Sequence, residues 1–289
     1  MAKYFTIIFC FAFFLMSSAQ RIDDEKLDNI IDELLNSEDD LINDLLGSLT
    51  NSDFLYFSVT YNDKTYFAGR DVGIVQYNIT PQITYANSKG FYTGITGTYF
   101  SEFYPNWDVT VGYLGYNSSI GKEKLIKYNF GFSKYFYANE LDNIFSNTLD
   151  FGVGIRTKNK ILGTYFTGTY LFGKEQSFQI SSRSYVSLNL IKNKTTSLKL
   201  RPQLIIITGK QTLELSRIIS IDGVLTSQFI VNDVFDLINT QLSIPLQYTC
   251  KDVDLELGYI QNFPHPIGNE TDLKTTAFIY FSLGYLIEL

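Results

Sequence analysis

From residue 53 to the end of the chain, polar and apolar side chains alternate with a period of two, the spacing of a strand with one oily and one wet face. In 178–190, Phe178, Ile180, Val186, Leu188 and Leu190 share a face with Ser182 and Ser184, while Gln179, Ser181, Arg183, Tyr185, Ser187 and Asn189 share the other. Segment 74–85 sets Val75, Tyr77, Ile79, Ile83 and Tyr85 against Gln76, Asn78, Thr80, Gln82 and Thr84. Segment 237–249 sets Ile238, Leu242, Ile244, Leu246 and Tyr248 against Asn239, Gln241, Ser243 and Gln247.

These segments exceed the ~5–6 residues of ordinary strands and suit a tilted crossing of a bilayer, which takes ~9–11. The alternation predicts twelve strands at about 54–61, 73–85, 91–100, 107–116, 124–137, 147–157, 161–172, 176–190, 197–208, 237–249, 252–261 and 273–289. Connections after even strands are short and those after odd strands are mostly long, the pattern of an outer-membrane barrel with its N-terminus in the periplasm. The expected fold is therefore all-β: a closed antiparallel up-and-down transmembrane barrel of about 12 strands over 53–289. A secreted sandwich alternates too, but its outward face is polar. The last strand places Ala277, Ile279, Phe281, Leu283, Tyr285, Ile287 and Leu289 on one face, resembling the terminal strand read by the barrel insertion machinery, although it ends on Leu289 rather than an aromatic.

Upstream the period changes. Residues 1–19 read as a signal peptide, with Lys3, the apolar stretch Tyr4–Met16 and small residues before Gln20. In 20–52, Leu27, Ile30, Ile31, Leu34 and Leu35, then Leu41, Ile42, Leu45, Leu46 and Leu49, recur at helical spacing. A short amphipathic helical periplasmic segment is expected, packed on the barrel, frayed in solvent or bound to a periplasmic partner. Its acids Asp23, Asp24, Glu25, Asp28, Asp32, Glu33, Glu38, Asp39, Asp40 and Asp44 far outnumber Arg21 and Lys26, so the formal net charge of −7 belongs to this tail. The barrel region is balanced, and nothing in it argues for nucleic acid.

Composition agrees: aromatics make up 16% and charged residues 18%. Past residue 20 no apolar run approaches the ~20 residues of a membrane helix. With Cys10 in the signal, Cys250 alone remains, so no internal disulfide is expected.

Catalytic, metal and cofactor motifs are lacking. His265, the single histidine, sits between Pro264 and Pro266 and reads as a turn residue. Glycines inside strands, among them Gly94, Gly112, Gly152, Gly154 and Gly163, read as sites of curvature or close approach by interior side chains. With the polar face inward, the charges Lys127, Arg156, Arg183, Lys199, Arg201, Asp254, Glu256 and Glu288 become candidates for a lumen constriction, basic groups of strands 5–9 facing acidic ones of strands 11–12. They either pair and plug the barrel or set a field across a pore. Residues 209–236 hold a further amphipathic stretch that could fold inward or pair as a hairpin.

Several blocks resemble an outer-membrane β-barrel family of the Bacteroidetes, a Gram-negative group, especially its flavobacterial members. They are YFAGRDVG at 66–73, ITPQITY at 79–85, FYTGITGTYFSEFYPNWD at 91–108, SKYFY at 133–137, LFGKEQSFQISSR at 171–183, LRPQL at 200–204 and NDVFDLINTQLSIPLQY at 232–248. The resemblance implies an outer-membrane location in contact with lipid, and no assigned activity. The leading expectation is a porin-like, non-enzymatic, narrow passive channel for small polar solutes. The alternatives are a closed barrel that acts as an anchor or interaction protein through its tail or outer loops and, last, a lipid-acting barrel enzyme.

Overall fold

In the computed structural model, the described residues are 53–289 apart from 72, 122, 139–144, 194, 211, 222–223, 232–234 and 268–269. The expected signal peptide and helical tail lie outside them.

Twelve ribbons form the wall: β1 Phe54–Asn62, β2 Asn78–Ala86, β3 Phe91–Phe100, β4 Trp107–Ile120, β5 Ile126–Tyr137, β6 Phe145–Arg156 and β7 Leu162–Gly173 come first. Then β8 runs Gln176–Val186 and on through Leu188–Lys192, and β9 runs Thr196–Leu200 and on through Gln203–Lys210. β10 Asp236–Cys250, β11 Val253–Pro264 and β12 Thr276–Glu288 complete the set. Each pairs antiparallel with the next in sequence. The pairing of β1 with β12, from Phe54↔Glu288 to Asn62↔Tyr280, closes the ring. Closure gives every ribbon two neighbours, although the turn-side stretch Leu188–Lys192 of β8 pairs with β9 alone, and this pairing is what a sheet surrounded by hydrocarbon requires.

The ladder shifts register at Thr98/Tyr99, Phe145/Asn147, Asn189/Ile191 and Ile207/Thr208, and it is interrupted beside Pro202. Pro202 has no N–H to donate, and the chain at Arg201–Pro202 interrupts β9 while Arg201 N bonds Pro245 O at 3.0 Å. On the neighbouring ribbon, Ser187 N turns to Ile161 O at 2.7 Å.

The faces are distributed as the alternation requires for lipid. Most buried wall positions are polar, among them Ser58, Thr80, Gln82, Thr84, Asn129, Ser243, Gln247 and Ser282, and the buried apolar ones, such as Phe54, Ala86, Phe100, Ile238 and Leu286, lie near strand ends. Exposed ones are large and apolar, among them Val59, Ile83, Ile95, Leu114, Phe151, Phe166, Leu257 and Phe281. This is an inside-out protein, oily surface around a polar interior, and its solvent is the bilayer core. Outward aromatics meet near the strand ends, Tyr61 with Tyr77 at 5.7 Å and Tyr77 with Tyr99 at 6.5 Å on one rim, Phe91 with Tyr116 at 5.0 Å on the other. Such rings sit at headgroup level.

Short turns at 87–90, 121–125, 157–161, 193–195 and 251–252 share one rim with both ends of the barrel chain, here the turn side. The loop side carries 63–77, 101–106, 138–144, 174–175, 211–235 and 265–275. Most strand ends fall within a few residues of the sequence reading, and two stretches refine it further. The second strand begins at Asn78 rather than 73, because residues 66–71 fold back as a two-stranded hairpin and Gly73 takes a φ of 78°. The 209–236 stretch contains its own hairpin, Thr212–Ile221 paired with Val224–Val231.

Interior glycines answer interior tyrosines. Across adjacent ribbons Gly94 faces Tyr113, Gly115 faces Tyr92, Gly154 faces Tyr165, Gly163 faces Tyr185 and Gly258 faces Tyr280. In each pair a Cβ built on the glycine would overlap the tyrosine, so the ring lies flat on bare backbone. Glycine costs strand stability, and the aromatic cover offsets that cost.

Two outcomes follow. Phe281→Arg, which places a charge near mid-membrane on the lipid face, should lower the unfolding free energy in detergent or lipid by about 2–4 kcal/mol. Gly258→Val should cost about 1–3 kcal/mol through overpacking against Tyr280, whereas Gly112→Ala, with nothing within 4 Å of the added carbon, should fold normally. Urea titration followed by heat-modified gel mobility reads all three.

Candidate functional site

Inward-facing charges gather toward the turn side of the lumen. Lys127 near the start of β5, Lys199 and Arg201 on β9, and Asp254 and Glu256 on β11 are 4%, 3%, 5%, 0% and 4% exposed. Values this low mean that the interior at this depth is closely packed. Arg183 is half-buried on the inward face of β8. Arg156 is half-buried at the end of β6. Glu288 departs from expectation: it has the inward parity of β12 but is exposed, because the strand ends there at the rim.

The acidic pair is held by tyrosines from two ribbons on one side of β11: its neighbour β12 and, beyond it, β1. Tyr56 of β1 donates its hydroxyl to Asp254 Oδ2 at 3.0 Å, and Tyr280 of β12 donates to Glu256 Oε1. Arg201 lies within electrostatic reach of Glu256 and stacks over the Tyr185 ring, 3.9 Å from its centroid. Cation–π contact and a carboxylate partner both compensate a guanidinium withdrawn from water. Other lumenal tyrosines likewise lend hydroxyls to amides and alcohols: Tyr113 meets Gln82 and Thr84, and Tyr165 donates to Asn129.

Ring order corrects the expected field. Lys199 pairs in register with Gln247, and Gln247 with Glu256, so the β9 bases lie along one wall with the β11 acids, separated by β10 alone. Among the clustered bases only Lys127, on β5, stands half a ring from β11. The dominant polarity is lateral, and a transverse component rests on Lys127.

A second constriction was not anticipated. The hairpin of 66–71 folds into the loop-side mouth, where a Cβ on Gly69 would strike Asn239 and Gly69 O accepts Thr276 Oγ1 at 2.7 Å. Arg70, 3% exposed, pins it: its Nε donates to both Glu270 oxygens at 3.0 Å, Nη2 to Oε2 at 2.8 Å, and other N–H groups to the carbonyls of Ala68, Ile238 and His265. Bidentate pairing plus three carbonyls uses the guanidinium fork nearly fully. His265 takes the structural role expected of it, its ring Nε2 bonding Thr240 Oγ1 at 3.1 Å. Among the described residues no group of three or more His, Cys, Asp or Glu could hold a metal, and Cys250 is a free thiol.

A hollow of about 850 Å³ at β6–β10 is lined by Leu162, Phe166, Val186, Leu204 and Leu242 together with Arg156, Tyr185 and Gln203.

No protein-family model and no curated protein matches the chain. Solved structures similar to it include a KdgM porin (7% identity, 82% of this chain and 99% of that one, TM-score 0.45). A COG4313 outer membrane channel from Pseudomonas putida F1 gives 10% identity, coverages of 84% and 98%, and a TM-score of 0.47. LpxR from Salmonella typhimurium gives 9% identity, coverages of 80% and 99%, and the same TM-score of 0.47. With scores this low, the assignment of a closed transmembrane barrel stands on the chain's own pairing and inside-out surface.

Removing one partner of a buried ion pair costs about 3–5 kcal/mol. Arg70→Ala should therefore release the 66–71 hairpin while the wall persists: added protease should cut within 63–77 in the variant and spare the wild type, with unchanged strand content by circular dichroism.

Proposed function

We propose that the protein is an outer-membrane barrel that serves as a narrow passive channel for small polar solutes, with its N-terminus and short turns in the periplasm. One observation carries this reading: the inward positions of the wall are mostly polar from rim to rim, with Ser58, Thr80, Gln82, Thr84, Asn129, Ser243, Gln247 and Ser282 among them. A core that only has to fill a barrel costs less to build from apolar side chains, because each polar group withdrawn from water has to be hydrogen-bonded. A polar lining suits a path for polar solutes. Twelve strands lie between the eight that fill with side chains and the sixteen to eighteen that leave a wide channel, so the ring size is compatible with a narrow lumen and with a filled one. The sequence blocks that resemble Bacteroidetes barrels agree with this location.

A specific observation favours a second reading, the closed barrel. The charged ring is almost fully shielded and the 66–71 hairpin is pinned in the opposite mouth. Such a barrel would anchor or display its tail and loops without conducting. A lipid-acting enzyme has less support, because no outward strand position carries a histidine.

Planar-bilayer recording separates the two. On the channel reading, purified protein gives small discrete steps, and Asp254→Asn with Glu256→Gln shifts selectivity from cations toward anions as Lys199, Arg201 and Lys127 become uncompensated. Absence of steps in both the wild type and Arg70→Ala would sink the channel reading and leave the anchor.

A further inference from the structure

The turn-side rim is a ring of lysines. Lys89, Lys124, Lys158, Lys160, Lys192 and Lys251 lie in or beside its five turns, and all are exposed. Its acids are fewer. Glu123 pairs with Lys158 at 2.5 Å, Asp252 lies beside Lys251 and near Glu288, which is exposed at the strand end, and Asp53 is tied into the wall. The loop side shows no such bias, with Asp63, Asp71, Glu102 and Asp272 set against Lys64 and Lys274 among others.

The chain enters the barrel on this rim at a fixed point. Asp53 O accepts Leu289 N at 2.9 Å, and its carboxylate accepts the Tyr85 hydroxyl at 2.7 Å and Ser88 N at 3.1 Å. These donors, with Lys89 nearby, hold the Asp53 carboxyl below the usual range. Immediately upstream lies the most acidic stretch of the sequence, residues 21–50, whose aspartates and glutamates are opposed by Arg21 and Lys26 alone. Its tether therefore starts on the rim of opposite charge. Reach is sufficient: twelve tilted ribbons ~4.8 Å apart close a ring roughly 24 Å across, and thirty residues extend about 45 Å when helical.

We propose that the acidic segment 21–50 docks on the lysine ring of its own barrel, across the turn-side mouth. The partner of this tail is then the wall it is attached to, held by many weak exposed pairs, each worth little but acting together at the high effective concentration of a tether. The proposal does not depend on whether the lumen conducts.

Tail mobility tests it. A nitroxide is placed at Ser37→Cys in the full chain, with Cys10 and Cys250 replaced by serine, and the protein is held in uncharged detergent. The expected spectrum is immobilised at ~0.1 M salt and loses its immobilised component at ~1 M, where the screening length falls from ~10 Å to ~3 Å. Combined Lys124→Gln, Lys158→Gln, Lys160→Gln and Lys192→Gln should mobilise it already at low salt, and binding of a 21–50 peptide in trans should be lost with it. A label mobile at both salts overturns the proposal. So does one equally immobilised in the lysine variant, which would place the apolar face of the tail in charge. Immobilisation seen only on transfer to phosphatidylglycerol vesicles would also overturn it, assigning the lysines to lipid phosphate.

Discussion

Hydrocarbon cannot hydrogen-bond a peptide group, and the rest of this structure depends on that constraint. Every ribbon must find two neighbours, so the last must find the first: β12 runs between β11 and β1 along nearly its whole length. The same pairing buries Tyr56 of β1 beside Asp254 of β11, although 198 residues separate them. The closure that protects the backbone from lipid thus also assembles the charged interior. With the wall sealed, side chains have two environments only, and the alternation sorts them: Phe281 and Leu283 outward to lipid, Ser282 between them inward.

Inside, the recurrent device is a tyrosine laid on a glycine of the next ribbon. A lumen of this size has too little room for rings that stand upright from every strand. Placing Tyr280 over Gly258 and Tyr165 over Gly154 lets the ring lie along the wall and carries the hydroxyl past the glycine to a further acceptor, Glu256 in one case and Asn129 in the other. A smaller residue on the glycine side is what permits a larger, oriented donor on the tyrosine side. That explains why Glu256 is held by a fixed donor rather than left to rotate.

Period-two alternation made most of this legible before any coordinates, since lipid on one side and a polar lumen on the other impose it on each strand separately. It over-reached at 73–77, where Val75 and Tyr77 keep the rhythm without a partner strand and Val75 is 86% exposed. Tyr56 and Tyr280 were not among the candidate site residues, although their parity, shared with Ser58 and Ser282, was the available signal. Arg70 had none. Its partner Glu270 lies 200 residues away in another loop, and only ring closure makes those loops neighbours. The expected opposition of charges across the pore failed for β9 on similar grounds, because strand number measures distance along a ladder, whereas a ring brings β9 within two ribbons of β11.

The two narrow places differ from the wall in what moving them would require. Opening the ladder exposes unpaired N–H and C=O groups to lipid, at several kcal/mol apiece, so the ribbons are fixed on any functional timescale. The obstruction at the loop side is a two-residue-per-strand hairpin, held by Arg70 with Glu270 and by single bonds such as Thr276 to Gly69. The obstruction at the turn side is made of rotatable side chains, Arg201, Glu256 and Tyr280 among them. On the channel reading proposed above, passage of solute would be controlled by these groups and not by the barrel. Because the hairpin is pinned by one buried cation while the lumen ring shares its charge among several, the loop-side obstruction depends far more on a single residue.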